Sequence, residues 1–405
     1  MPRLSTGTNQ FETLALPAIF AFSILIRNLI LKRLNSKKYF TSIYLFFLDY
    51  FIFVFPQLLA MTLLADHLIE FIGFLFMLSI FIKYFFPKSK ETAQHFPSCD
   101  MYTYLRVFVQ ISTAVAILGV DFRIFPRRFA KTISYGTSPS KKQNYNYSKK
   151  SILQFFYSMT ALMILGFGKP LLMSIFNYRH ELTEYGTHWN FFMTLAVLKI
   201  VAFLPSIISI LIGIFGSICL ASQQDFENYL LSDNRNYDSI LDSNREGLIS
   251  LCGYVLILDI SRRFGDDMKN LLNAISSWQS TAYSFALTGL YYSLYYIITV
   301  YFDYQPSRRI ANLPYILQCL GATHYTTAIV QIPMLFSTIS KHSNENLPTL
   351  LNYIGSWSLT TFLSANILTG IINVSIQTDQ IYSNALQFFI LFGRRKEVEG
   401  GRRED

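Results

Sequence analysis

Asp121, Arg123, Arg127, Arg128 and Lys131 crowd the segment that follows the apolar run from Val107 to Val120. Five ionisable side chains at the end of a hydrophobic stretch form a pattern with a chemical use. Pro126 cannot continue a helix and restricts Phe125 before it, so the chain is expected to turn there and bring Asp121 and Lys131 together at a membrane boundary. In a poorly solvated setting the carboxylate becomes more basic and can take a proton from a hydroxyl, while the ammonium holds it in place or neutralises an oxyanion. Arg127 and Arg128 add guanidinium forks, which match phosphate oxygens in a bidentate way that Lys cannot. The same charges also read as a flank that stops transfer of a membrane helix, with Asp121 and Lys131 as a structural ion pair.

A second group of polar residues runs from Thr183 to Phe192. His188 is of a residue type that serves as a general base, and Glu184, four residues earlier, shares its face if the stretch is helical. Trp189 and Tyr185 beside it equally suit an interfacial anchor at headgroup depth. Asn244, Arg245, Asn312 and Asn366 lie within or beside apolar runs, where a polar group faces a cavity or another helix. They line a site or join helices. The chain has no Walker loop, GxSxG elbow, HExxH or paired CxxC, which argues against nucleotide hydrolysis, serine-hydrolase chemistry and a zinc site, so no metal is expected.

These residues need elements to hold them, and composition says which. With 52% hydrophobic and 15% charged residues over 405 positions, and a mean hydropathy of +0.32, the chain is too apolar for a soluble globular protein of its size. An all-α, polytopic membrane protein follows. The net charge of +9 is no nucleic-acid signal, because the cations sit beside apolar runs, where they set topology or meet anionic lipid and coenzyme phosphates. Cys99, Cys219, Cys252 and Cys319 show neither metal-ligand spacing nor a disulfide framework. The first apolar run follows a polar start without a small-residue cleavage site, so it is expected to stay as a signal anchor.

A helix needs about 20 apolar residues to cross a bilayer core. Spans are expected near 13–31, 41–64, 67–86, 103–120, 152–176, 188–204, 205–222, 247–261, 280–302, 313–336, 350–375 and 379–393, giving 12–13 transmembrane helices. Pro205 is the reason for dividing 188–222. No loop is long enough to fold separately, so residues 1–405 are expected to form a single membrane-embedded domain. The cations from Arg127 to Lys150 place that loop in the cytosol, whereas the sequon Asn146-Tyr147-Ser148 in it is usable only in the lumen. The side of the membrane stays open between them.

The run Val120-Asp121-Phe122, Phe125-Pro126-Arg127-Arg128-Phe129-Ala130-Lys131-Thr132 with Tyr135-Gly136 resembles the signature of the inositol acyltransferases of GPI-anchor assembly. Further matches are Thr183-Glu184-Tyr185-Gly186-Thr187-His188-Trp189-Asn190-Phe191-Phe192, Asn244-Arg245-Glu246-Gly247, Gly253-Tyr254, Ala311-Asn312-Leu313 and Ala365-Asn366. Together they span most of the chain. Two departures adjoin the first run: Ile133 stands where an acidic residue is usual, and Ser138 to Ser148 replaces a Gly-rich apolar segment.

The resemblance implies a multi-pass enzyme of the endoplasmic-reticulum membrane, moving a fatty acyl chain from acyl-CoA to the inositol of glucosaminyl-phosphatidylinositol. Acyl-CoA is then a co-substrate, with no further cofactor and no nucleic-acid partner. Asp121 and Lys131 become the expected catalytic pair and His188 the rival base or a positioning group. Arg127, Arg128, Glu184, Trp189, Asn190, Asn244 and Arg245 become the expected substrate contacts. A membrane transporter or lipid flippase, or a non-catalytic subunit of a GPI-assembly complex, would use the same charges differently, and transfer of label from acyl-CoA separates these readings.

Overall fold

The computed structural model describes residues 8–31, 42–85, 100–126, 128–129, 149–175, 186, 188–222, 224–232, 235–274, 277–335, 350–375, 381 and 383–392. Helix dominates, and the described residues include no β-strand. The chain divides into two compact units, Met1–Ser138 with Tyr325–Asp405, and Pro139–His324.

The first unit holds α1 (Gln10–Leu31), α2 (Ser42–Asp49), α3 (Phe55–Ala60), α4 (Leu68–Phe85) and α5 (Met101–Gly119). A π-helical segment, Tyr50–Val54, joins α2 to α3, and the Phe55 N–H donates to Tyr50 O. Pro56 explains it: a ring without an N–H breaks the regular ladder, and the preceding turn widens to take up the loss. The run expected as one span over 41–64 is therefore irregular and ends its helix at Ala60. Phe20 of α1 lies 5.1 Å from Phe53 and 5.4 Å from Phe108 of α5, ring centre to ring centre, forming an aromatic core. Arg27 and Asp49 make a fully buried ion pair at 2.6 Å between α1 and α2.

The second unit opens with α6 (Lys149–Ile175), α7 (Phe191–Val201), α8 (Ser206–Ser222) and α9 (Gln224–Leu231). Then come α10 (Ile240–Ser243), α11 (Arg245–Ala274), α12 (Ser277–Tyr301) and α13 (Leu313–Leu335), the last of which contains the boundary between the units. Pro205 separates α7 from α8 as expected. By contrast, α11 runs to Ala274, well past the short span expected over 247–261. Asp259, Arg262 and Arg263 do not end it, because Asp259 accepts from Ser206 Oγ at 2.7 Å and Arg262 donates to Ala202 O at 2.8 Å. Asp259 and Arg262 are satisfied from the α7–α8 turn, and Arg263 donates to Asp259 within α11 at 3.0 Å.

The first unit resumes with α14 (Leu350–Ser356), α15 (Ser358–Ser375) and α16 (Asn384–Phe392). The run expected over 350–375 breaks at Trp357, after Gly355 and Ser356. Among the described residues four helices are long and apolar enough to cross a membrane, or five if α8 and the bent α9 count as one span. The other expected spans are helical too. Among them α7 and α16 are brief, and the polar residues Gln318, Thr323, His324 and Thr327 lie within α13.

Candidate active site

Two places gather the residues singled out by the sequence, one in each unit. In the first unit, the chain leaves α5 through successive turns: Phe122 N donates to Gly119 O (2.9 Å), Phe125 N to Phe122 O (3.2 Å) and Phe129 N to Pro126 O (3.0 Å). Phe122, Ile124, Phe125 and Phe129 are buried, so an apolar underside anchors the turn. Gly119 is needed there, since a Cβ would come 2.6 Å from the Phe125 ring. From the other end of the chain, the buried Gln387 of α16 accepts from Ile124 N at 2.9 Å and donates to Ile381 O at 2.6 Å.

Half-buried Asp121 projects from this anchored turn. Arg128, a phosphate candidate by residue type, makes its contacts here to carboxylates, Glu12 Oε1 and Asp66 Oδ1, both at 2.6 Å. Glu12 is itself fixed by a reciprocal cap with Asn9, whose backbone N donates to Glu12 Oε2 (3.0 Å) while Glu12 N donates to Asn9 Oδ1 (2.7 Å). Arg128 thus ties the turn to the start of α1. Arg127 and Lys131 lie outside the described residues, and with them the expected approach of Asp121 to Lys131.

In the second unit, segments far apart in sequence converge at one end of α11. Asn244 Oδ1 accepts from the backbone N of both His188 (2.9 Å) and Trp189 (2.7 Å), while Asn244 Nδ2 donates to Ile240 O (2.9 Å). Asn190 caps α7, accepting from Phe192 N and Met193 N and donating to Gly166 O of α6 at 2.6 Å. Trp189 Nε1 donates to Thr194 Oγ1 at 2.9 Å. Gly186 sits at φ +116, where a Cβ would come 2.7 Å from Asn244 Cα. Gly186→Ala is therefore strained twice over, by φ and by contact, and is expected to lower stability by about 1–3 kcal/mol, read as a lower melting temperature of the purified protein.

Charge is concentrated beside this hub. Arg245 donates to Leu230 O (3.1 Å), Ser232 O (2.6 Å) and Asp242 Oδ1 (2.8 Å), and its guanidinium lies 4.4 Å from the Tyr229 ring centre. Hydrogen bonds from Tyr229 and the Asn236 backbone, then from Arg245, pull the Asp242 carboxyl down to about 2. Glu246 is fully buried and accepts two bonds from buried Arg235, at 2.6 and 2.5 Å, plus one from Arg309. Ala311, at φ +48, lets Asn312 turn back to cap α13 by accepting from Ser307 N (2.9 Å) and Tyr315 N (3.3 Å). Gly253 admits this loop, since a Cβ there would come 2.1 Å from Ala311 O.

The expected substrate contacts Trp189, Asn190, Asn244 and Arg245 thus place their polar atoms in bonds that shape the scaffold, and His188 is the exposed side chain presented by it. Glu184 lies outside the described residues. Sequence reasoning passed over Glu12, Asp66, Arg235, Arg309 and Gln387, and met Glu246 only within the matched run Asn244-Arg245-Glu246-Gly247. Glu246 alone gave a signal, as an acid opening an apolar run and in need of a counter-charge.

A sequence model of the GWT1 family matches residues 3–139 and 138–393. The phosphatidylinositol-glycan biosynthesis class W protein of Dictyostelium discoideum is 27% identical, over 95% of this chain and 92% of its own. The GPI-anchored wall transfer protein 1 of Candida albicans is 31% identical over 76% of this chain and 74% of its own. The glucosaminyl-phosphatidylinositol-acyltransferase PIGW of Bos taurus is 29% identical over 72% and 70%.

Proposed function

The chain belongs to the GWT1 family, and we propose that it transfers a fatty acyl group from acyl-CoA to the inositol hydroxyl of glucosaminyl-phosphatidylinositol, a step of GPI-anchor assembly in the endoplasmic-reticulum membrane. The observation that carries this reading is a family match along nearly the whole chain, joined to a relative named for that acyl transfer. The helical fold, with spans long enough for a bilayer, supports a lipid acceptor.

In this reading the Asp121 carboxylate removes the inositol hydroxyl proton as the oxygen attacks the thioester carbonyl. Lys131 is assigned, by residue type, to the negative charge that builds on the carbonyl oxygen. The carbon–sulfur bond then breaks, an ester remains on inositol, and the departing thiolate takes up a proton to leave as free coenzyme A. The anchored turn supports the assignment, because a base must be held in place to act. Arg127 and Glu184 are assigned, by residue type, to the phosphate and the polar headgroup.

Purified protein given labelled acyl-CoA and the inositol lipid should form labelled acyl-inositol; a protein that binds both without forming it is not this enzyme. His188 serves here as a positioning group. His188→Gln is expected to raise KM for the lipid by about tenfold while kcat falls less than about threefold. A fall in kcat as large as that of Asp121→Asn, with KM unchanged, would move the base to His188.

A further inference from the structure

Thr103, Arg106, Gln110 and Thr113 follow one another along α5 at spacings of three, four and three, which places them in one row on the helix. The row is half-buried, whereas Leu105, Val107, Phe108 and Ile111 around it are buried. It runs beside the seam with α14 and α15, where Gly355 meets Thr103 and Thr369 Oγ1 donates to Ile117 O at 3.2 Å. Arg106 is the one charged residue of α5, a helix apolar enough to cross a membrane.

Among the described residues nothing pairs with the Arg106 guanidinium. One turn further, Gln110 Oε1 lacks a hydrogen-bond partner, as does Thr113 Oγ1 beyond it. A cation within a span is costly unless it meets an anion, and each oxygen is costly unless it meets a donor. Each oxygen is itself buried while its residue is half-buried, so an arriving group meets it through a change of side-chain rotamer. The row therefore asks for a ligand with an anionic head followed by an arm that donates hydrogen bonds.

Resting on the acyl-transfer reading, we propose that Arg106 binds a phosphate of the acyl-CoA donor, whose amide-bearing arm lies along Gln110 and Thr113 toward Asp121. Two phosphate sources compete for such a site, and distance separates them. Fifteen residues of helix put Arg106 about 22 Å from Asp121 along the axis. In the inositol lipid the phosphodiester is joined to the ring that carries the reacting hydroxyl, so with that hydroxyl at Asp121 its phosphate cannot reach Arg106. In acyl-CoA the pantetheine arm separates the phosphates from the thioester, and its two amide N–H groups supply the donors the oxygens lack.

Arg106 lies near enough to the start of α5 for its side chain to snorkel to lipid headgroups, and Lys would do that equally well. Full-length protein in detergent is titrated with coenzyme A in a calorimeter, and transfer is followed with acyl-CoA and lipid varied in turn. Arg106→Gln should weaken coenzyme A binding and raise KM for acyl-CoA by about tenfold or more, with KM for the lipid within about twofold. Arg106→Lys, which keeps the charge but loses the fork, should fall between and gives the reading if the Gln variant does not fold. Coenzyme A binding within about twofold of wild type in Arg106→Gln overturns the proposal, as does a loss confined to the lipid. Wild-type protein that binds coenzyme A through Arg106 but transfers no acyl group would refute the acyl-transfer reading and leave this site standing.

Discussion

Asp121→Asn and Lys131→Met are each expected to lower acyl transfer by at least about a hundredfold, while the protein stays folded and inserted. A positioned base and a charge aimed at the oxyanion are each worth that much or more, and Asn keeps the shape of Asp without its basicity. The turn around Asp121 rests on Phe122, Ile124 and Phe125 and on the Gln387 bonds to Ile124 and Ile381, none of which the substitution touches. Size-exclusion profiles and melting curves should therefore match wild type while labelled product disappears. Either variant keeping most of its activity would show that the pair is not the chemistry.

The largest loss of stability is expected at Glu246, which takes no part in the proposed reaction. Glu246→Ala removes the carboxylate that accepts two bonds from buried Arg235 and one from Arg309. Removing one partner from a buried pair costs about 3–5 kcal/mol, a large share of a domain's total stability. The variant should aggregate on extraction or melt far below wild type. Replacing the pair together, as Arg235→Met with Glu246→Leu, should recover part of the loss, because no buried charge is then left alone. A double variant no better than Glu246→Ala would show that the cost lies elsewhere, in the Arg309 contact or in packing.

Helices and their punctuation were legible in the sequence, because apolar length and proline act locally. Pro205 divides α7 from α8 and Pro126 follows the turn that carries Asp121, both for reasons contained in a few residues. The extent of α11 was not, since Asp259 and Arg262 look like an end until Ser206 and Ala202 are seen to satisfy them from another helix. The same holds for the ties of the site. Arg128 and Glu12 are 116 residues apart, Arg309 and Glu246 are 63 apart, and nothing in either neighbourhood names the partner. Asn244 stood out for its polarity and Asn190 for the matched run that contains it, and neither signal says whether the amide faces a ligand or the backbone. Here it faces the backbone.

Ser209, Gly213, Gly216 and Leu220 form the buried face of α8, and a Cβ at Gly213 or Gly216 would come within 2.5 Å of Leu256 or Cys252 of α11. This contact bears on how the molecule is made. As the ribosome feeds the chain into the membrane, α11 arrives with Asp259, Arg262, Arg263, Asp266 and Asp267, a load that lipid alone rejects. By then α8 has been synthesised, carries no charge and offers a smooth groove together with the Ser206 hydroxyl that receives Asp259. The helix that carries no charge therefore precedes in the chain the polar helix it packs against, and the partner for Asp259 is synthesised before Asp259 itself.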